Sequence, residues 1–130
     1  KDYQQLAVIR QMVRDLDLNI TILAQPTIRE TDGLALSSRN LYLSAADRKL
    51  APLLYAEMQE TANQINKGAP VDVALASAKT RLTKSGFGEI DYFDLRHSDS
   101  LQPAETLAPN CRIFAAIRLG KTRLIDNYAL

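Results

Sequence analysis

Leu6, Ile9, Val13 and Leu16 recur at helical spacing behind Asp2 and Gln5, which stand where an N-cap and its N3 partner would. The pattern predicts an amphipathic helix over residues 3–16. Ile20, Thr21, Ile22 and Leu23 follow as a short β-branched run that stops before Pro26. Such a run after a helix predicts a strand of a parallel sheet, buried on both faces. Residues 25–43 then lose their period and carry Pro26, "TDG" and "SSRN". Long ordered connections of this kind are often functional. Ser44 and Asp47 mark the next helix start, and Leu50, Leu54, Met58, Thr61 and Ile65 form its stripe as far as Lys67-Gly68. Pro52 lies beyond the first helical position and is expected either to cost a hydrogen bond there or to mark a break near Ala51. Pro70 opens a further helix with Val71, Leu75, Ala78 and Leu82 on one face, closed by Gly86.

From there the period changes to two. "EIDYFDLRH" alternates around Tyr92 and Phe93. "CRIFAAIRLG" sends Cys111, Ile113, Ala115 and Ile117 to one face, and "TRLIDN" is a third strand after the turn "LGKT". The fold class expected is α+β: two helices packed on a three-stranded antiparallel sheet, preceded by the last helix and strand of a truncated α/β domain. The boundary is placed near residue 27, giving 1–27 as the α/β tail and 28–130 as the α+β domain.

Composition narrows the function classes. The 130 residues suffice for one core, and 46% hydrophobic with 24% charged residues is ordinary for a globular protein. A net charge of +1 removes the bulk electrostatic case for nucleic acid or an anionic membrane. A single cysteine, Cys111, excludes an internal disulfide framework or a Cys/His metal cluster and points to a reducing compartment. No apolar run approaches membrane-spanning length. The start at "KDYQQL", without Met and directly in a helical pattern, suggests a fragment whose upstream sequence is missing.

Two stretches carry candidate chemistry. Lys1, Asp2 and Gln5 sit at a predicted helix start, where free backbone N–H groups favour an anion. Lys1 would add a cation for phosphate, Asp2 an acceptor for a sugar hydroxyl, and Gln5 a grip on a hydroxy acid. The plainer alternative is that Asp2 and Gln5 only cap the helix. The second stretch is Ser37-Ser38-Arg39-Asn40. Small polar residues in a turn can aim backbone N–H groups at one point, and hydroxyls with a guanidinium suit phosphate oxygens. It reads equally as a solvated turn that caps the next helix. His97, the only histidine, is expected at a strand end with no catalytic partner, and Cys111 as a buried apolar residue. Arg112 and Arg118 are expected in solvent, and Arg123 paired with Asp126.

The segments "KDYQQLAVIRQMV", "TIRETDGLALSSRNLYLS" and "LGKTRLIDN", in this order, closely resemble the C-terminal part of the pantothenate synthetase (pantoate–β-alanine ligase) family. The resemblance implies a nucleotidyltransferase with a Rossmann-like domain that condenses pantoate with β-alanine, using ATP and Mg²⁺, through a pantoyl adenylate. It implies that Lys1 and Asp2 are the ATP-contacting pair and that Gln5 is a pantoate ligand. By the same resemblance Ile28 would contact the nucleotide through its backbone, and Leu36, Ser37, Ser38 and Arg39 would form a phosphate loop like the KMSKS loop of class I aminoacyl-tRNA synthetases. Lys1, Ser37, Ser38 and Arg39 would support the transition state, and no residue would be a protein ligand to metal. The family's HxGH-type motif is absent, so no catalytic histidine is assigned, and His97 does not replace it. The resemblance makes residues 28–130 a mobile lid and implies a cytoplasmic, homodimeric parent with neither nucleic acid nor membrane as partner. The isolated chain is then expected to be inactive. The alternative is a non-catalytic α+β module that binds a nucleotide or a protein partner.

Overall fold

A computed structural model describes all of residues 1–130. Helix α1 spans Tyr3–Asp15, with the Asp2 carboxylate accepting the Gln5 N–H at 3.0 Å as the cap spacing predicts. A short 3₁₀ turn covers Ser38–Tyr42. Helix α2 runs Ala45–Leu50, capped by Ser44, and α3 runs Leu53–Asn66. The interruption at Ala51-Pro52 falls where the proline removes a backbone donor. Helix α4 spans Val71–Lys84 directly after Pro70. Strands β1 (Ile90–His97), β2 (Cys111–Leu119) and β3 (Thr122–Ala129) form one antiparallel sheet in that spatial order.

The pleat sorts β2 as its alternation predicts. Cys111, Ile113, Ala115, Ile117 and Leu119 face α3 and α4, and they bury against Leu54, Met58, Ala78, Leu82, Phe93 and Leu95. Register fixes which β3 residues share that face. Leu119 opposes Thr122, Ile117 opposes Leu124 and Ala115 opposes Asp126. The other face, with Phe114 opposite Asn127, receives the first turn of α1. Tyr3 meets Phe114 edge-on at 5.8 Å, and the Tyr92 hydroxyl donates to Gln4 Oε1 at 3.1 Å.

Three expectations need correction. Residues 20–23 form no strand: a parallel strand takes its backbone partners from neighbouring strands, and this chain supplies none beside it. Ile20 and Leu23 are accordingly exposed. Arg112 is not solvated, because α1 covers that end of the sheet. Its guanidinium stacks 4.2 Å from the Tyr3 ring centre and donates to Asn127 Oδ1, and burial holds its pKa below the usual arginine value. Arg123 does not pair with Asp126. Residues three apart on a strand point to opposite faces, so Arg123 meets Asp91 while Asp126 turns inward. Arg118 is exposed, Cys111 is buried, and His97 ends β1, as expected.

Candidate functional site

The "TDGLALSSRN" stretch is built outward from a tight turn. Glu30 N–H donates to Leu34 O at 2.8 Å and Gly33 N–H to Glu30 O at 2.9 Å, with Gly33 at φ +93°. Asp32 Oδ1 accepts the Leu34 N–H, and Arg48 of α2 clamps the turn through Glu30 at 2.7 Å and Asp32 at 2.6 Å. Those bonds hold the Glu30 and Asp32 carboxyls below the usual carboxylate range. An isolated antiparallel bridge pairs Arg29 with Ala35, and Leu36 N–H reaches Ile28 O at 2.9 Å. Ser37 then caps the 3₁₀ turn, its Oγ accepting the Arg39 N–H at 3.2 Å. Asn40 ties the turn back through Ala35 O and Glu30 Oε1. Ser38 and Arg39 are left on the surface, and Arg39 enters no ion pair.

Gly33 is the point where backbone conformation matters most. A Cβ there would stand 3.0 Å from Tyr55 Cδ1 in a left-handed backbone region. Gly33→Ala should therefore lower stability by about 1–2 kcal/mol. Urea unfolding measures this directly, and an unchanged midpoint would show that the turn relaxes without cost.

The loop is joined to Lys1 through β3. Asp126 accepts both Arg29 Nη1 at 2.6 Å and Nη2 at 2.9 Å, and Arg29 lies 3.5 Å over the Tyr55 ring. Asn127 Nδ2 donates to Lys1 O at 2.6 Å, while its own N–H donates to Asp126 Oδ1 at 2.8 Å. Adjacent residues of one strand thus hold the two sequence motifs together, one on each face of the sheet. Burial lowers the pKa of the Lys1 ammonium; Asp126 and Asp2 draw it back up, and the Arg39 charge depresses it further.

Lys1, Asn40 and Asp126 enclose a hole of about 10 Å³, the space of one water. Two wider hollows flank it. One, of about 610 Å³, is bordered by Lys1, Asp2, Arg29 and Arg112. The other, of about 660 Å³, is bordered by Arg39, Tyr42 and the β2–β3 turn. Lys1 and Arg39 therefore face different hollows on either side of one polar seam. Gln5 is exposed on α1 and borders neither; Ile28 and Leu36 are also exposed. Sequence reasoning missed Arg29, Asp126 and Asn127 as the seam that connects the motifs. Strand alternation through "RLIDN" was the signal that would have turned Asp126 inward. No group of three or more His, Cys, Asp or Glu side chains is placed to hold a metal, and no helix is long and apolar enough to cross a membrane.

A family model described as Pantoate-beta-alanine ligase matches residues 1–129. The chain belongs to that family. The pantothenate synthetase of Hahella chejuensis is 56% identical across the whole chain, and that of Rhizorhabdus wittichii 52%. In both cases the chain spans 46% of the relative's length, a little under half. The crystal structure of the pantothenate synthetase from Thermus thermophilus superposes with a TM-score of 0.91 at 42% identity, over 98% of this chain and 46% of that one. A pantoate-beta-alanine ligase from Francisella tularensis, complexed with Beta-gamma ATP and Beta-alanine, aligns with a TM-score of 0.69 at 32% identity, over 99% of this chain and 41% of that one. Membership fits the α+β fold expected from the sequence, and the matched relatives carry the name of a ligase of pantothenate biosynthesis.

Proposed function

We propose that this chain is the C-terminal part of an ATP-dependent ligase that joins pantoate to β-alanine, and that it forms the phosphate-holding wall of the ATP site. One observation carries the assignment: the Asp126–Asn127 seam brings Lys1 and the Ser37–Arg39 loop together, in a chain of the pantoate-beta-alanine ligase family. The nucleotide complex of the Francisella tularensis relative supports ATP as the substrate.

In the reaction, the pantoate carboxylate attacks the α-phosphorus of ATP. The P–O bond to the β-phosphate breaks, and pyrophosphate leaves with the electron pair. The β-alanine amine then attacks the acyl carbon, AMP departs, and pantothenate forms. Negative charge grows on the transferring and departing phosphates in the first step. Lys1 and Arg39 stabilise it as cations, and the Ser37 and Ser38 hydroxyls as donors, with Ser37 held by the Arg39 N–H that its Oγ accepts. Asp2 accepts a ribose hydroxyl, Ile28 meets the nucleotide through its backbone, Leu36 belongs to the phosphate loop, and Gln5 orients pantoate. Mg²⁺ would arrive on the nucleotide, because the loop offers cations and hydroxyls rather than carboxylates. Residues 28–130 act as a lid on a Rossmann-like domain ending near residue 27, and closure protects the acyl adenylate from water. The parent works as a cytoplasmic homodimer, and the isolated chain is inactive because the histidine motif belongs to the upstream part.

A titration of the chain with MgATP, followed by backbone amide shifts, tests this assignment. Asp2, Ile28 and Leu36–Arg39 should move together with weak affinity. The lowered Lys1 pKa adds a pH signature. A polyanion favours the ammonium, so affinity should fall as pH rises through that lowered value, below the ordinary 10.5. Lys1→Arg, which stays charged, should hold its affinity over the same window. Equal pH profiles for the two proteins would remove Lys1 from the site.

A further inference from the structure

The hollow beside Arg39 has a second wall that the family assignment does not use. It is formed by the tip of the β2–β3 turn, where Lys121, Thr122 and Arg123 face Arg39 and Tyr42 across about 660 Å³. Three cations line this opening. Arg123 is engaged by Asp91, but Arg39 and Lys121 enter no ion pair. Asp47, whose carboxylate lies against the tip, accepts the Ser44 hydroxyl at 2.7 Å and makes no ion pair with Lys121. Its carboxylate packs against the turn so closely that a Cβ on Gly120 would lie 2.6 Å from Oδ2. The tip is therefore seated on the start of α2 rather than free in solvent. Thr122 adds a second anomaly. It is only 4% exposed, and its Oγ1 has no hydrogen-bond partner. A buried hydroxyl without a partner is unfavourable, and its neighbours in the hollow are cations and a phenol.

We propose that this hollow is a polyphosphate site, in which Lys121 and Thr122 join Arg39 to hold the terminal phosphates of the nucleotide and then the departing pyrophosphate. The inference rests on the ATP assignment above and extends it to residues outside the motif-bearing loop. Two unpaired cations on facing walls suit an anion carrying several charges better than a single carboxylate. A phosphate oxygen drawn in by Arg39 and Lys121 would supply the acceptor that the Thr122 hydroxyl lacks. Lys121 thereby becomes a positioning residue for the leaving group, anchored on a two-residue hairpin turn.

The test titrates the chain with inorganic pyrophosphate at low ionic strength, following backbone amides, with AMP as a comparison. Pyrophosphate should shift Arg39, Lys121 and Thr122 on one isotherm, whereas AMP should leave the hairpin still. Lys121→Ala should weaken pyrophosphate binding about tenfold and Thr122→Val about threefold, while Lys67→Ala, at the C-terminal end of α3 and outside the hollow, should bind as the parent sequence does. The proposal is overturned if the hairpin amides stay fixed, or if Lys121→Ala binds pyrophosphate as tightly as the unaltered chain. Pantoate-dependent exchange of pyrophosphate into ATP by the longer protein separates this outcome from the ligase assignment. Hairpin shifts without exchange would leave the anion site standing and the ligase reading refuted. Exchange with an unmoved hairpin would do the reverse.

Discussion

Asp126→Ala should destabilise this chain by about 3–5 kcal/mol, the expected cost of stranding a buried guanidinium. For a domain of this size that corresponds to a fall in Tm of roughly 10–20 °C. Asp126 is 5% exposed and accepts three hydrogen bonds: two from Arg29, and one from the Asn127 N–H. Its loss leaves Arg29, whose side chain is 17% exposed, with only Gly33 O and the Tyr55 ring. It also removes the negative charge that offsets the burial of Lys1. Removing both partners should hurt less than removing Asp126 alone, since the double variant Arg29→Ala/Asp126→Ala buries no unpaired charge. Chemical denaturation of the two variants decides the matter. A loss below about 1 kcal/mol for Asp126→Ala, or a double variant that shows the summed loss of the singles, would mean that the seam is not a coupled pair.

The second large effect is catalytic. In the longer protein, Lys1→Ala should slow pantoyl adenylate formation by about 10²–10³-fold, the range found when one fixed donor to developing charge is removed. The substitution should act on kcat more than on the KM for pantoate, because the role proposed for Lys1 is toward the phosphates rather than the acid. Its fold cost should be small. The Lys1 side chain is only part-buried, and the bond that Asn127 makes to this residue uses the backbone carbonyl, which alanine keeps.

How much of this was legible beforehand follows from the range of each interaction. The helix caps at Asp2 and Ser44, the break at Pro52 and the alternation of β2 are local, and all stand where the spacing put them. The strand expected at 20–23 failed because its hydrogen-bond partners are not in this chain; a buried pattern states what a segment needs, not whether it is supplied. Arg112 failed for a related reason. Its face of the strand was read as open, but α1 returns to lay Tyr3 on it. The Ser37–Asn40 stretch is an even choice between turn and site on local grounds. Contacts between residues far apart in sequence, Asn127 with Lys1 and Asp126 with Arg29, are what place it beside a second cation. Such contacts leave little trace in spacing, although the inward turn of Asp126 was available from the period of two.

In the proposed ligase, this chain supplies the phosphate wall of an adenylating site whose histidines lie upstream. Pantoate-dependent exchange of labelled pyrophosphate into ATP tests it most directly, run side by side on the longer protein, on its Lys1→Ala variant and on the 130-residue chain. Exchange is expected from the longer protein, at a rate lower by about 10²–10³-fold for the variant, and none from the chain alone. Exchange catalysed by the chain alone, or an unchanged rate for Lys1→Ala, would contradict it.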